Sequence, residues 1–476
     1  MKRRICRTRV WTSAVVGVWT CATVGYLSLA SRIAADDVER TVPARTETAL
    51  DRYVAKPDQS FSWKLAATQP GDGYTTFVID LKSQTWRTTA DVDRTLWQHW
   101  LVVVRPNEAR GGTGFLFIGG GRNGGEPPKA ADALTVQLAV ATNTVVAELR
   151  QVPNQPLAFD GDGKPRVEDD LIAYTWDKFM RTGDDLWPAR LPMVKSAVRA
   201  MDAVQAFAAG TDGGGLKIER FVVAGGSKRG WTTWCTAAVD RRVTAIAPIV
   251  IDVLNVRVSM QHHHDAYGFW APAVHDYVEH KIVDRNDAPE HAALLRIEDP
   301  FSYRDRLTMP KYIINAAGDQ YFLPDSSQFY FDELPGEKYL RYVPNADHSL
   351  RGSDARESLV AYYEMLLAGR PRPKFSWSFE RDGSIRVRTE DRPKSVLLWR
   401  ATNPKARDFR LVSIGQAFTS TALEEQGGVF VARVEPPREG WTAYFVELEF
   451  DTGGKSPWKC TTAVRVVPDT LPFKGK

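Results

Sequence analysis

Between residues 95 and 250, short and nearly continuous apolar runs alternate with stretches whose apolar residues recur every three or four positions. His99–Arg105, Gly114–Ile118, Thr144–Leu149, Arg220–Ala224 and Val243–Ile251 are such runs, each bounded by glycine, proline or asparagine. Runs of this kind read as strands buried on both faces of a sheet. Between the third and the fourth, Met193, Ala197, Met201, Val204 and Phe207 fall on one face of a helix. The alternation predicts an α/β domain with a mostly parallel sheet. It resumes with Lys311–Ala316, Lys338–Val343 and a helix over about Ala355–Leu367, capped by Asp354 or Ser353. Residues 255–305 interrupt the strands and read as a cap insertion.

Past residue 370 the pattern changes. Arg370-Pro371-Arg372-Pro373 reads as a linker, and the apolar period beyond it becomes two, with Asp382-Gly383 as a hairpin turn. A chain of 476 residues is expected to hold about two domains, so residues 36–370 are expected to form the α/β domain and 374–476 a separate all-β sandwich.

The strand at Arg220–Ala224 runs into Gly225-Gly226-Ser227-Lys228-Arg229-Gly230-Trp231 and then into a helical stretch. A serine on a sharp strand-to-helix turn presents its hydroxyl above the sheet, while nearby glycines let strand and helix approach. This is the nucleophile elbow of α/β-hydrolases, usually G-x-S-x-G, except that Arg229 occupies the last position and Gly230 follows it. The order of a triad on that fold is serine, acid, histidine. Of the eight histidines only His348 follows the strand Lys311–Ala316, in the loop after the last strand. Asp319, after the preceding strand, is the first candidate for the acid, with Asp325 and Asp252 behind it. An acyl-transfer site also needs N–H donors for an oxyanion. Lys228 supplies one, and the Gly119-Gly120-Gly121 run after Gly114–Ile118 supplies the other, Gly120 being favoured over Gly119 and Gly121.

His262-His263-His264-Asp265 lacks a metal-binding spacing, because adjacent side chains diverge, so neither metal nor cofactor is expected. Tyr267 and Trp270, in the same insertion, are candidate substrate contacts. Residues 1–35 begin with five basic side chains and continue through an uncharged run, Val10–Ala30, the order of an export signal. If uncleaved, that run is long enough to anchor the chain in a membrane. The formal net charge is +4, and the first 30 residues carry five bases and no acid, which leaves the remainder at −1. Such a body lacks the basic stripe that nucleic acid requires. Beyond the leader only Cys235 and Cys460 remain; they fall in different expected domains and read as two buried thiols rather than a bridge.

The elbow segment, Ala317-Gly318-Asp319 through Phe322-Leu323-Pro324-Asp325-Ser326-Ser327, Leu334-Pro335-Gly336, and Pro344-Asn345 with His348 resemble the PhoPQ-activated pathogenicity-related family. Tyr174-Thr175-Trp176 and Leu191-Pro192-Met193 resemble it too. The resemblance implies an exported α/β-hydrolase fold with Ser227, Asp319 and His348 at the triad positions, and it implies no substrate. The expectation is therefore an exported, periplasmic or secreted serine hydrolase acting on a small ester or peptide. The alternative is a secreted binding or signalling protein on an inactive hydrolase scaffold.

Overall fold

The computed structural model describes residues 46–454 and 456–475; the leader expected at 1–35 lies outside them. Nine strands come first: β1 (Ser62–Pro70), β2 (Tyr74–Thr85), β3 (Leu96–Pro106), β4 (Arg110–Ile118), β5 (Thr144–Leu149), β6 (Ile218–Gly226), β7 (Val243–Ile249), β8 (Lys311–Ala316) and β9 (Lys338–Val343). They lie side by side as β1-β2-β3-β5-β4-β6-β7-β8-β9. The pairs from β5 through β4, β6, β7 and β8 to β9 are parallel, whereas β1, β2 and β3 join antiparallel. From β2 onward this is the strand order of an α/β-hydrolase sheet.

Burial explains the pattern of residues. All six residues of β8 are buried, as expected of a strand covered on both sides. On one face, the helices Arg190–Ala209 and Lys228–Val239 contribute Met193, Ala197, Met201, Val204 and Trp234 to a large apolar cluster that also holds Phe221 and Val223 of β6. On the other face, the helices Ala133–Thr142 and Ala355–Leu367 pack Leu138, Leu359 and Tyr363 against Val222 and Ala224. Alternate residues of one strand thus feed two cores.

Eight further strands follow: β10 (Phe375–Phe379), β11 (Ile385–Thr389), β12 (Ser395–Asn403), β13 (Thr419–Ala422), β14 (Val429–Ala432), β15 (Trp441–Phe450), β16 (Trp458–Thr461) and β17 (Arg465–Val467). Here the structure departs from the expectation of a separate sandwich. β16 pairs antiparallel with β9 at Thr461 and Leu340, so the large sheet continues through β16-β15-β12-β13, with β17 on β15. The whole sheet is therefore mixed rather than mostly parallel. Only β10, β11 and β14 form a sheet of their own, which shares an apolar cluster with β12 and β15. Residues from Glu47 on make one compact unit, and residues 370–374 are not a boundary. A buried Arg341 on β9, ion-paired to Glu447 of β15 and to Asp354 (2.8 Å), fastens the seam. Asp354 does sit at the N-cap of the helix Ala355–Leu367, but its carboxylate is taken by Arg341 and Lys459, and its side chain makes no cap bond. Cys235 and Cys460 are buried and free.

Candidate active site

Ser227 stands between the last residue of β6 and the first residue of the helix Lys228–Val239, with φ 56° and ψ −128°. A positive φ is rare for a residue with a side chain and persists only where the surroundings enforce it. Here two glycines do so. A Cβ on Gly225 would lie 2.7 Å from the Arg229 carbonyl oxygen, and one on Gly230 would lie 2.9 Å from the Gly225 oxygen and 3.0 Å from that of Ile249. The Ser227 N–H donates to the Ile249 carbonyl at 2.8 Å, which ties the turn to β7. The displaced second glycine of the motif is thus the one the packing requires.

Asp319 and His348 meet at the same end of the sheet. His348 Nδ1 lies 2.8 Å from an Asp319 carboxylate oxygen, and Asp319 is buried. The other carboxylate oxygen accepts the Tyr321 N–H at 2.7 Å, and Gln320 accepts the His348 N–H at 2.9 Å. The Tyr321 ring sits 4.4 Å from the imidazole, centre to centre. Facing a carboxylate, Nδ1 carries the proton, which leaves Nε2 as the acceptor. Among the described residues no hydrogen bond joins the Ser227 hydroxyl to His348.

The competing acids are otherwise engaged. Asp325 is buried between His262 and Arg407 (2.6 Å), and although burial alone would raise its pKa, the Arg407 charge and the hydrogen bonds with Arg407 and His262 hold it well below the carboxylate range. Asp252 accepts the Tyr330 and Tyr342 hydroxyls at 2.7 and 2.6 Å, and burial pushes its pKa up to about 8.

Of the oxyanion candidates, Lys228 starts the elbow helix, where a backbone N–H has no partner within the helix. Gly119 does not fit, because its N–H donates to the Leu149 carbonyl at 2.7 Å. Gly120 lies against Arg229, whose guanidinium nitrogen would be 2.8 Å from a Cβ there. Gly121 has φ 134°, and its carbonyl accepts from Gln155. A clamp that sequence reasoning missed joins these parts. Arg229 forks onto Glu168 at 2.6 and 2.8 Å and also donates to the Val152 carbonyl. Gln155 holds both Glu168 and Gly121, while Lys228 Nζ reaches Glu168 at 2.8 Å and Asp169 at 3.2 Å. Burial opposes ionisation of Glu168, yet Arg229 and Lys228 hold its carboxyl far below the usual range. The arginine in place of the usual glycine was the visible signal.

A narrow cavity of about 60 Å³ opens beside Ser227 and Lys228. The insertion forms one wall with Val256, Met260, Tyr277, Ile282 and His291, and Trp176 and Trp231 face them. Tyr267 and Trp270 do not line it, contrary to expectation. Tyr267 is buried against Ala266, Ala271 and Leu323, and Trp270 packs on His263 and His264. The helix Val256–Tyr267 presents the pocket with Val256 and Met260 from its first half, leaving its last turn to a satellite core. The histidine run disperses accordingly: His262 goes to Asp325, and His263 accepts the Ala271 N–H at 3.1 Å. Among the described residues, no three His, Cys, Asp or Glu side chains converge as a metal site.

Two solved structures are similar to this chain at low identity. Acetyl xylan esterase 1 from Thermoanaerobacterium sp. JW/SL YS485 is 13% identical, with a TM-score of 0.46 over 67% of this chain and 91% of that one. An acetyl xylan esterase from Paenibacillus sp. R4 is 14% identical, with a TM-score of 0.47 over 68% and 95%. Autocrine proliferation repressor protein A of Dictyostelium discoideum is 38% identical over 456 residues, covering 90% of this chain and 92% of that protein. The model of the PhoPQ-activated pathogenicity-related protein family matches residues 50–410, and with a relative this similar over nearly its full length, the chain belongs to that family.

Proposed function

We propose that the protein is an exported serine hydrolase that cleaves a small ester or peptide through a covalent acyl-enzyme. The observation that carries this reading is the pairing of an elbow serine at positive φ with a buried Asp319 bonded to His348 on the same sheet edge. In this reading His348 Nε2 takes the Ser227 proton as the hydroxyl oxygen bonds to the carbonyl carbon, and Asp319 stabilises the resulting imidazolium. The negative oxygen is met by the N–H groups of Lys228 and Gly120. Collapse of the intermediate breaks the bond to the leaving group, which receives the proton from His348. Water then repeats the sequence on the acyl-enzyme, releasing the acid and restoring Ser227. Export rests on the basic and apolar leader, and substrate enters without metal or cofactor.

A second reading is favoured by one observation, the name of the Dictyostelium relative, which describes an autocrine repressor of proliferation. On that reading the scaffold is a secreted signalling protein whose site is not used for turnover. A fluorophosphonate probe separates the two. The hydrolase reading requires labelling of the wild type and its loss in Ser227→Ala, and a folded wild type that stays unlabelled sinks it.

A further inference from the structure

Ser227 and His348 open onto different spaces. Ser227 and Lys228 line the narrow cavity under the insertion, whereas His348 lines a second cleft of about 660 Å³ together with Gly120, Gly226, Asp132, Arg351 and Arg356. In acyl transfer the leaving group receives its proton from the histidine, while the acyl group stays on the serine. The departing part of a substrate therefore belongs in the wide, charged cleft and the acyl part in the narrow cavity.

The lining of that cavity sets what an acyl group meets. Three of its residues carry charge, and each is already paired. Arg190 lies 3.2 Å from Glu298 and also holds the Thr232 hydroxyl and the Lys228 carbonyl. Lys228 Nζ reaches Glu168 at 2.8 Å and Asp169 at 3.2 Å, and Asp169 also accepts the Tyr277 hydroxyl at 3.1 Å. The other lining groups are uncharged. Burial lowers the His291 pKa and keeps its ring neutral. Burial, with Asp169 and Asp319 close by, pushes the Tyr321 phenol up to about 12. The Asn286 amide nitrogen donates to the Arg257 carbonyl at 3.1 Å. Among the described residues, the Ser227 and Tyr321 hydroxyls and the Asn286 side-chain oxygen have no hydrogen-bond partner, and none of these neutral atoms can balance a charge. Most of the remaining wall is ring and hydrocarbon, with Trp176, Trp231, Ile251, Val256, Met260 and Ile282. A charged group brought here loses its water and finds no free countercharge, a large cost, whereas burial of an apolar group is favourable.

Resting on the hydrolase reading above, we infer that the acyl half of the substrate is uncharged and apolar, and that Met260, half-buried on the cavity side of the helix Val256–Tyr267, is a specificity-determining residue. The polarity of the substrate is thus divided between its two halves, with charged or polar groups tolerated only on the leaving side.

The test uses the full protein and two pairs of methyl esters matched in shape, read as kcat/KM from acid release at constant neutral pH. Methyl butanoate is compared with methyl 3-aminopropanoate, in which an ammonium replaces the terminal methyl. Methyl 4-methylpentanoate is compared with monomethyl succinate, in which a carboxylate replaces the isopropyl end. The wild type should favour the neutral ester of each pair by about tenfold or more. Met260→Lys should raise monomethyl succinate relative to its partner by about tenfold while leaving the ammonium ester disfavoured. Met260→Glu should do the reverse, and general damage to the site does not produce such a crossing of sign. A wild type that hydrolyses either charged ester as well as its neutral partner overturns the inference, whether or not the variants fold. So do wild-type ratios in both folded variants, and so does a wild type that labels with fluorophosphonate but hydrolyses none of the four esters. Absent labelling of the wild type removes the hydrolase reading itself, a different outcome from labelling without the preference for neutral acyl groups.

Discussion

Replacing Gly225 by alanine tests whether close packing at the elbow holds Ser227 in place. The added Cβ would stand 2.7 Å from the Arg229 carbonyl oxygen and 2.9 Å from its carbon, both backbone atoms that cannot turn aside. The strand end and the helix start must part by several tenths of an ångström. Overpacking of this kind costs about 1–3 kcal/mol. With an unfolding entropy of about 2.1 cal/mol/K per residue, a unit of roughly 430 residues loses only about 1–3 °C in Tm. The effect on chemistry is larger, because displacing a reacting atom by about 1 Å costs on the order of a hundredfold in rate. Gly226 supplies the control. A Cβ there meets no heavy atom within 4 Å, and its φ lies outside the left-handed region. On that scale a shift of several tenths of an ångström predicts that rates of fluorophosphonate labelling, measured beside thermal unfolding, fall about tenfold in Gly225→Ala and stay within about threefold of wild type in Gly226→Ala. Equal effects of the two substitutions would refute the packing argument.

Asp319→Asn should lower turnover about 10⁴-fold with little change in Tm, whereas Asp325→Asn should cost about 3–5 kcal/mol by unpairing Arg407 and His262 while Ser227 still labels; turnover assays with thermal melts of both variants check the contrast. Because the Asp252 pKa is raised from its ordinary value to about 8 in the fold, the folded state holds a proton that the unfolded chain releases near pH 4. The stability linked to it is complete below about pH 4 and is lost as pH rises through 8, so Asp252→Asn should flatten the decline of Tm between pH 4 and 8. A chain lacking residues 1–30 should stay in the cytosol, as fractionation of cells expressing it would reveal, and secretion of that form would count against the leader.

The sequence carries its parallel strands openly because a strand covered on both faces must be apolar throughout, as β8 is. The first hairpin, β1 and β2, is harder to read, since β1 is largely exposed and its residues do not form an apolar run. The continuation of the sheet across β9 and β16 could not be read at all: it rests on a pairing between residues more than a hundred positions apart, which leaves no local pattern. Ser227, Asp319 and His348 are legible through their order along the chain. The clamp of Arg229, Glu168 and Gln155 is not, because Glu168 reaches its place through φ 52° at the start of the helix Glu168–Thr182, and nothing in its neighbours signals that. Tyr267 and Trp270 show the converse error. Aromatic residues in an insertion near a site have two cores to fill, and only contacts tell which one claims them.

The seam between β9 and β16 also bears on what a shortened chain could become. A strand at the rim of a sheet offers unpaired N–H and C=O groups that recruit further strands from other molecules. Here β16 covers that rim, and Thr461 additionally accepts the Tyr342 N–H at 3.0 Å. A chain ending near residue 370 would keep the triad positions but bare β9, and would leave the buried Arg341 without Glu447. Its failing would be poor solubility and self-association rather than a damaged site, so the C-terminal strands act as a guard on the hydrolase sheet as well as an extension of it.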